Sequence, residues 1–83
     1  MEGYGLVKKL VTEDSDLLGK TLRDFKLPEK GILVLGIERG NKWLPIPHAG
    51  ETIQKGDKLV VYGTYETLDE VFADPYRDNR GES

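Results

Sequence analysis

One stretch of this chain constrains its fold more than any other, the apolar run from Gly31 to Ile37. Long aliphatic and β-branched residues in so short a run are typical of a β-strand. Successive side chains of a strand point to opposite faces, so the run divides into two apolar sets. These sets are Ile32 and Val34 on one face, and Leu33, Leu35 and Ile37 on the other. A strand that is apolar on both faces must be covered on both faces.

The size of the chain limits what can provide that cover. Its 83 residues make one small domain, and a domain of this size is only marginally stable on its own. The chain has no cysteine, so no disulfide stabilises it. We expect a helix to cover one face of the strand and a second copy of the chain to cover the other, which predicts a homodimer.

The charge balance restricts the partners. Twelve lysines and arginines against 15 acidic residues give a net charge of -3, which is the wrong sign for a protein that binds nucleic acid through its phosphates. The run from Gly31 to Ile37 is far shorter than the roughly 20 residues of a membrane-spanning helix, and no secretion signal opens the chain. We therefore expect a soluble cytoplasmic domain without direct insertion into a membrane.

Hydrophobic spacing and turn residues predict the remaining elements. Leucines and Phe25 at helical spacing predict a helix from Asp16 to Phe25, capped by Ser15 or Asp14, with Gly19 packed closely against the sheet. Gly36 is interpreted as a bulge or a close backbone approach. The other predicted elements are a strand at Gly5–Thr12, a turn at Gly40-Asn41, a strand at Lys42–Pro47 that lies at an edge or ends early, a loop at Ala49–Lys55 anchored inward by Thr52 and Ile53, a strand at Lys58–Gly63, and a helix capped by Thr64 and ended by Pro75.

This order, β-α-β-β-β-α, predicts an α+β fold, a small mixed or antiparallel β-sheet with two helices on one face. Residues 1–75 form the single predicted domain, and residues 76–83 form a flexible tail.

The side chains that usually carry catalysis are scarce. The chain has one histidine, His48, and two serines, Ser15 and Ser83, so a serine triad lacks parts. No carboxylate except Glu51 lies at a metal-ligand spacing from His48, and no glycine-rich phosphate-binding fingerprint occurs. We expect a binding or regulatory module with no catalytic residues and no metal site.

Four segments together resemble the TrkA C-terminal domain, also called the RCK C-terminal domain. The first has the pattern S-x-L-x-G-K-T-L, the second is an apolar strand that ends in I-x-R-G, the third is a proline-rich return strand, and the fourth contains G-D before a strand. They are found here at Ser15–Leu22, Gly31–Gly40, Leu44–Pro47 and Thr52–Gly63. The resemblance covers residues 5 to 73 and implies a TrkA-C-like fold.

The resemblance also implies a function. Such domains regulate channels and transporters of potassium or other cations, pair two-fold, and bind a small effector, which in some members is cyclic di-AMP at the dimer interface. The implied partners are an RCK N-terminal-type nucleotide-binding domain and a membrane channel or transporter, and the latter would hold this cytoplasmic domain peripheral to the inner membrane.

A two-fold interface suits a two-fold nucleotide ligand, and this suggests a binding site. A guanidinium pairs with phosphate better than an ammonium does, so Arg39 is the candidate for the phosphate, with Asn41 as a hydrogen-bonding neighbour. The predicted base pocket is lined by Leu35, Ile37, Pro45 and Ile46. Two interpretations stay open: Arg39 as an ordinary solvated charge, and the apolar strand as dimer core that no ligand touches.

An alternative function is an adaptor that dimerises and docks a transport protein without any small ligand. Small barrel-like accessory domains of iron transport also carry a Gly-Asp strand motif, but the helix predicted before the sheet argues against a barrel.

Overall fold

The computed structural model describes residues 3–72, which contain four strands and two α-helices. The strands are β1 (Tyr4–Leu10), β2 (Leu33–Arg39), β3 (Lys42–Pro45) and β4 (Lys58–Thr64). The helices are α1 (Leu22–Phe25) and α2 (Tyr65–Phe72), and a 3-10 turn at Pro28–Lys30 follows α1. The predicted element order is confirmed. Pro75 and the predicted tail at residues 76–83 lie outside the described residues.

The four strands form one antiparallel sheet in the order β1-β4-β2-β3. β2 and β3 are joined by the predicted two-residue turn, where Gly40 has a φ of 61°, a conformation that glycine adopts without a steric penalty. β3 lies at the edge of the sheet and has a neighbouring strand on one side only. Pro45, which has no N–H to donate, is tolerated in such a position. The prediction of an edge position for this strand is confirmed.

The predicted alternation along β2 is wrong beyond Val34, because a bulge shifts the register. Val34 pairs with Val61 of β4, but Gly36 pairs with the next residue of β4, Val60, so Leu35 is an extra residue. The bulge moves Ile37 from the face of Leu33 to the opposite face. Ile37 is therefore fully buried while Leu33 is 55% exposed. The bulge expected at Gly36 is confirmed, with the preceding residue, Leu35, as its extra residue.

The predicted helix at Asp16–Phe25 is also too long. Only Leu22–Phe25 is helical, and Thr21 precedes it with its N–H donating to Asp24 Oδ2 at 2.9 Å. Gly19 has a φ of 81°, and a Cβ added there would meet no atom within 4 Å. Its role is thus conformational, and the expectation of close packing at Gly19 is wrong. The N–H of Gly19 donates to Ile53 O instead of to a helical carbonyl.

The hydrophobic core lies on the face of the sheet that the helices cover, here called the inner face. The side chains of Ile37 in β2 and of Leu59 and Val61 in β4 are fully buried there, in one cluster with the buried residues of α2. Ile53 is buried as predicted, but its neighbour Thr52 is exposed, so only one of the two expected anchors points inward. The other buried members of the core are Val11, Leu17, Leu22, Leu27, Ile32, Leu68 and Phe72.

The helix α2 begins where the sequence predicts it. The N–H of Thr67 donates to Thr64 Oγ1 at 3.1 Å, which satisfies one of the free donors of the first turn. Leu68 and Phe72 are buried against the sheet. This contact closes the inner face over β1 and β4.

Candidate functional site

The opposite face of the sheet, here called the outer face, is covered by neither helix of residues 3–72. Because side chains alternate along a strand, every second side chain of each strand points to this face, and the register between strands shows which ones. Its exposed large apolar members are Tyr4, Leu6, Leu10, Leu33, Trp43 and Tyr62. Contiguous exposed apolar surface on a small domain usually marks an interaction site.

The apolar residues of the outer face form a continuous row across three strands. Leu6 pairs with Tyr62, and Tyr62 pairs with Leu33. The ring of Tyr4 stacks on that of Tyr62, with centroids 6.1 Å apart. Toward the other end the face becomes charged, where Lys8 Nζ lies 3.1 Å from Glu38 Oε2. The outer face therefore combines this apolar row with an ion pair, and Trp43 lies opposite Glu38 of that pair.

Trp43 covers part of this face from the edge strand. A Cβ added at Gly36 would overlap the Trp43 ring, so the indole lies directly on the glycine backbone. The ring itself is half exposed. This close approach explains why a glycine follows the bulge, because any side chain at position 36 would displace the indole.

Three of the predicted ligand residues meet where β2 and β3 face each other. Pro45 pairs with Gly36, and the N–H of Ile46 donates to Leu35 O at 2.9 Å. Ile46 has a φ of 41° and is 79% exposed. The left-handed region is costly for a β-branched residue, and exposure gives this side chain no packing in return. Strain of this kind is found most often at functional sites.

The other predicted ligand residues lie elsewhere. Ile37 is fully buried on the inner face, so the prediction that it lines a ligand pocket is corrected: the bulge turns it into the core. Asn41 is exposed in the two-residue turn, at the opposite end of β3 from Pro45. The binding role of Asn41 stays a prediction.

Arg39 lies on the inner side of the sheet in an ion-pair cluster with Asp57 and Glu51. Its Nε and Nη2 donate to the two carboxylate oxygens of Asp57 at 2.9 and 2.8 Å, and its Nη1 donates to Glu51 Oε2 at 3.0 Å. Nη2 also donates to Thr52 O at 3.0 Å. Paired bonds of this geometry are the strongest that a guanidinium makes. Arg39 is thus not the ordinary solvated charge of the alternative interpretation, and its role toward phosphate stays a prediction.

The cluster changes the titration of both partners. Hydrogen bonding to Asp57 raises the pKa of Arg39 above its ordinary value. Burial alone would raise the pKa of Asp57, which is 1% exposed, but the hydrogen bonds from Arg39 and from the N–H of Gln54 outweigh it and hold this pKa below its usual range. Both groups therefore stay charged at neutral pH.

Asp57 and Glu51 are the partners of Arg39 that sequence reasoning missed, and Asp57 is the buried one. The Gly-Asp pair indicated a turn, and the turn is present, with the N–H of Gln54 donating to Asp57 Oδ2 at 2.9 Å. The same carboxylate also reaches Arg39, which lies 18 residues earlier in the chain. A buried carboxylate needs a charged partner, and that rule was the available signal, although burial itself is not visible in the turn motif.

Two further features, a metal site and a membrane-spanning helix, are not found among the described residues. Within residues 3–72, no group of three or more histidine or carboxylate side chains is arranged to hold a metal ion. None of the helices in this part of the chain is long and apolar enough to cross a membrane.

Comparison with known proteins adds to this geometry. Residues 7–74 match the family described as the TrkA-C domain. The chain belongs to the TrkA-C domain family. The predicted resemblance is therefore confirmed, and the match includes the whole sheet from Val7 onward.

Two curated relatives contain this TrkA-C domain as a part. The chain is 33% identical over 78 residues to a probable alpha-L-glutamate ligase of Rhodopirellula baltica, which covers 94% of the chain and 19% of the relative. It is 36% identical over 67 residues to the Ktr system potassium uptake protein A of Vibrio alginolyticus, which covers 80% of the chain and 30% of the relative. The chain spans about a fifth to a third of the length of these relatives.

Solved structures share the fold of the TrkA-C domain. A structure described as an RCK domain with cda is 28% identical, with a TM-score of 0.66 over 81% of this chain and 91% of that one. The RCK C domain of the potassium transport protein KtrA, in complex with cyclic diadenosine monophosphate, is 24% identical, with a TM-score of 0.71 over 81% of this chain and 78% of that one. The predicted α+β fold class is confirmed by these similarities.

Proposed function

We propose that this TrkA-C domain is a regulatory module of a potassium or other cation transport system, which pairs two-fold through its outer face and binds a nucleotide-type effector such as cyclic di-AMP. The potassium assignment is supported by the relative from Vibrio alginolyticus, a potassium uptake protein by name. The effector assignment is supported by the solved relatives that hold cyclic diadenosine monophosphate or cda. The implied partners are an RCK N-terminal-type nucleotide-binding domain and a membrane transporter.

The observation that carries the two-fold pairing is the exposed row of Leu6, Tyr62 and Leu33. Burying apolar surface stabilises an interface by about 25 cal/mol per Å², and all three side chains remain exposed within residues 3–72, Leu6 and Leu33 by more than half. Two copies that bring their outer faces together would remove both rows from water. Such pairing would also place the β2–β3 ends of the two copies about one symmetry axis, which suits a two-fold ligand.

The proposed effector contacts are Leu35, Pro45 and Ile46. These residues are close together, and Ile46 is exposed and strained without an internal packing role. Ile37 is not part of the proposed contacts because it is buried. Arg39 has four of its five N–H donors bonded within residues 3–72, so a phosphate would have to compete with Asp57 and Glu51 for it.

We propose no catalytic role for the domain. The relative named as a glutamate ligase matches over 19% of its length only, so the name describes a protein most of which has no counterpart in this chain. The same kind of domain accompanying a ligase and a potassium uptake protein agrees with a module that regulates what it is attached to.

The pairing is tested by sedimentation equilibrium of the unmodified chain and of the variants Leu33→Glu and Leu18→Glu. Leu18 is an exposed leucine outside the sheet and serves as the matched control. We expect two-fold association that Leu33→Glu weakens and Leu18→Glu leaves unchanged. An equal effect of the two variants would contradict pairing through the outer face.

The effector is tested by thermal unfolding with cyclic di-AMP. At about ten times its Kd a ligand stabilises the folded state by about 1.4 kcal/mol, which corresponds to a rise in melting temperature of about 6 °C or more for a domain of this size. The variant Ile46→Asn, whose new side chain tolerates a left-handed backbone, should reduce the rise, and Leu18→Asn should not. Association without any thermal response to cyclic di-AMP or mononucleotides would favour the adaptor function instead.

A further inference from the structure

The strand β1 ends the sheet on one side, and no other strand of residues 3–72 pairs with its free edge. Hydrogen bonds beyond its two ends establish which backbone groups face that edge. The N–H of Val11 donates to Asp57 O, and the N–H of Tyr65 donates to Gly3 O, both at 2.8 Å. Bonded and non-bonded pairs alternate along an antiparallel ladder, so the odd-numbered residues of this segment bond to β4. The N–H and C=O groups that point to the free edge belong to Tyr4, Leu6, Lys8 and Leu10.

The same four residues place their side chains on the outer face. Three of them are large and apolar, and Leu6 is 58% exposed. A long edge strand with free backbone groups and exposed apolar side chains is a template for pairing with another strand. Natural edges are commonly protected by prolines, bulges or lysines. The strand β1 has no proline and no bulge, and of its two lysines Lys8 is paired with Glu38.

We propose that β1 pairs edge to edge with β1 of a second copy, in antiparallel register with the two-fold axis at Val7. Four residues of each copy have backbone N–H and C=O groups that point to the free edge. In this register all eight of these residues join hydrogen-bonded pairs. Tyr4 lies opposite Leu10 of the second copy, Leu6 opposite Lys8, Gly5 opposite Lys9, and Val7 opposite its own symmetry mate. The two four-stranded sheets become one eight-stranded sheet.

The charges of β1 select this register over its neighbours. An axis at Lys8 would place two Lys8 ammonium groups directly opposite each other, which destabilises a strand pair. An axis at Leu6 would leave Leu10 without a partner. With the axis at Val7, neither Lys8 nor Lys9 faces a lysine, and the charge of Lys8 is already paired with Glu38 at 3.1 Å. The second copy is therefore the occupant for which the edge is self-complementary.

This contact is separate from the pairing of outer faces. Edge pairing uses backbone groups of β1, whereas face pairing uses side chains such as Leu33 in the middle of the sheet. A chain that makes only the edge contact stops at a dimer, and a chain that makes both contacts builds larger assemblies. The two proposals can therefore fail independently.

The test uses the full chain carrying Leu33→Glu, which weakens face pairing, with a second substitution at Lys8. Lys8→Pro removes one outward N–H from each copy and places a ring in the contact, and proline is tolerated at an edge where the N–H faces solvent. Lys8→Ala is the matched control, because it also loses the Glu38 ion pair but keeps the N–H. In sedimentation equilibrium we expect Lys8→Pro to weaken the dimer about tenfold or more relative to Lys8→Ala.

Amide hydrogen exchange of the chain with Leu33→Glu alone decides the question even if Lys8→Pro does not fold. The amides of Leu6 and Lys8 should become protected as protein concentration rises, while the amides of Val7 and Lys9, which bond to β4, are protected at every concentration. Fast exchange at Leu6 and Lys8 in the concentrated sample, or equal association of the proline and alanine variants, would overturn the proposal.

Discussion

The two faces of the sheet are built from the same strands and behave as opposites. On the inner face Ile37 is fully buried and the charged groups of Arg39 and Asp57 neutralise each other within the fold. On the outer face Leu33, four residues before Ile37, is mostly exposed. The comparison indicates that the inner face maintains the fold and that the outer face is available for partners.

The largest expected effect separates Ile37 from Leu33. Ile37→Ala should lower the free energy of unfolding by about 3 to 4 kcal/mol, because it removes buried methylene groups and leaves a cavity. Leu33→Ala should change the unfolding free energy of the monomer by about 0.5 kcal/mol or less, since its side chain is already in water. Urea denaturation at a dilution where the chain is monomeric measures both. Similar losses for the two variants would show that the faces are not distinct.

Removing the charge partner of Arg39 should have the next largest effect. Asp57→Ala leaves a half-buried guanidinium without its main acceptor and should lower the free energy of unfolding by about 3 kcal/mol. The matched control is Glu38→Ala on the outer face, where the exposed pair with Lys8 should contribute about 0.5 kcal/mol or less. Denaturation of both variants in parallel checks this. A loss at Glu38 as large as that at Asp57 would contradict the assignment.

The dependence of the free energy of unfolding on pH in the acid range should also depend on the ion pair between Arg39 and Asp57. Because the pKa of Asp57 is lowered in the folded state, its stabilising effect is complete above the unfolded pKa of about 3.9 and is lost as the pH falls through the lower folded pKa. A hydrogen bond from the N–H of Thr21 also lowers the pKa of Asp24, so Asp24 contributes to the loss of stability in acid as well. The contribution of Asp57 is therefore the difference between the unmodified chain and a variant that lacks the Asp57 carboxylate. Asp57→Asn should flatten the fall in stability below about pH 4, and an unchanged slope would exclude this role.

The smallest predicted effect has the opposite sign. Ile46→Gly should raise the free energy of unfolding by about 1 kcal/mol, because glycine adopts the left-handed backbone without the penalty of a β-branched side chain and little burial is lost. The same variant should respond less to the proposed effector. Thermal unfolding with and without cyclic di-AMP measures both changes, and a loss of stability would show that the Ile46 side chain supports the fold.

Local chemistry made most of the fold predictable. The Gly40-Asn41 turn, the Thr64 cap and the apolar strands depend on neighbouring residues, and the structure confirms them. The helix at Asp16–Phe25 failed because tertiary bonds overrode a helical spacing of leucines: Gly19 donates to Ile53 O and Lys20 O accepts from the Ile53 N–H.

The candidate site was less predictable, since it depends on contacts between distant residues. The acceptors of Arg39 lie 12, 13 and 18 residues later in the chain, and spacing along the sequence does not reveal them. The bulge at Leu35 reversed the facing of Ile37, so a ligand residue predicted by alternation became core. The members of the outer face on β1 and β4 became evident only from the register between strands.

The extra residue in β2 has a consequence for how this family of chains can change in length. Deleting Leu35 would remove the bulge but leave Gly36 opposite Val60 and Ile37 opposite Leu59, so Ile37 would stay in the core and Arg39 would stay beside Asp57. Insertions at the Gly40-Asn41 hairpin also leave the facing of both strands intact, whereas losing a single residue between these two places would turn the residues before or after it to the wrong face. Length variation among viable homologous sequences should therefore concentrate at the bulge and at the hairpin and spare Ile37–Arg39 between them.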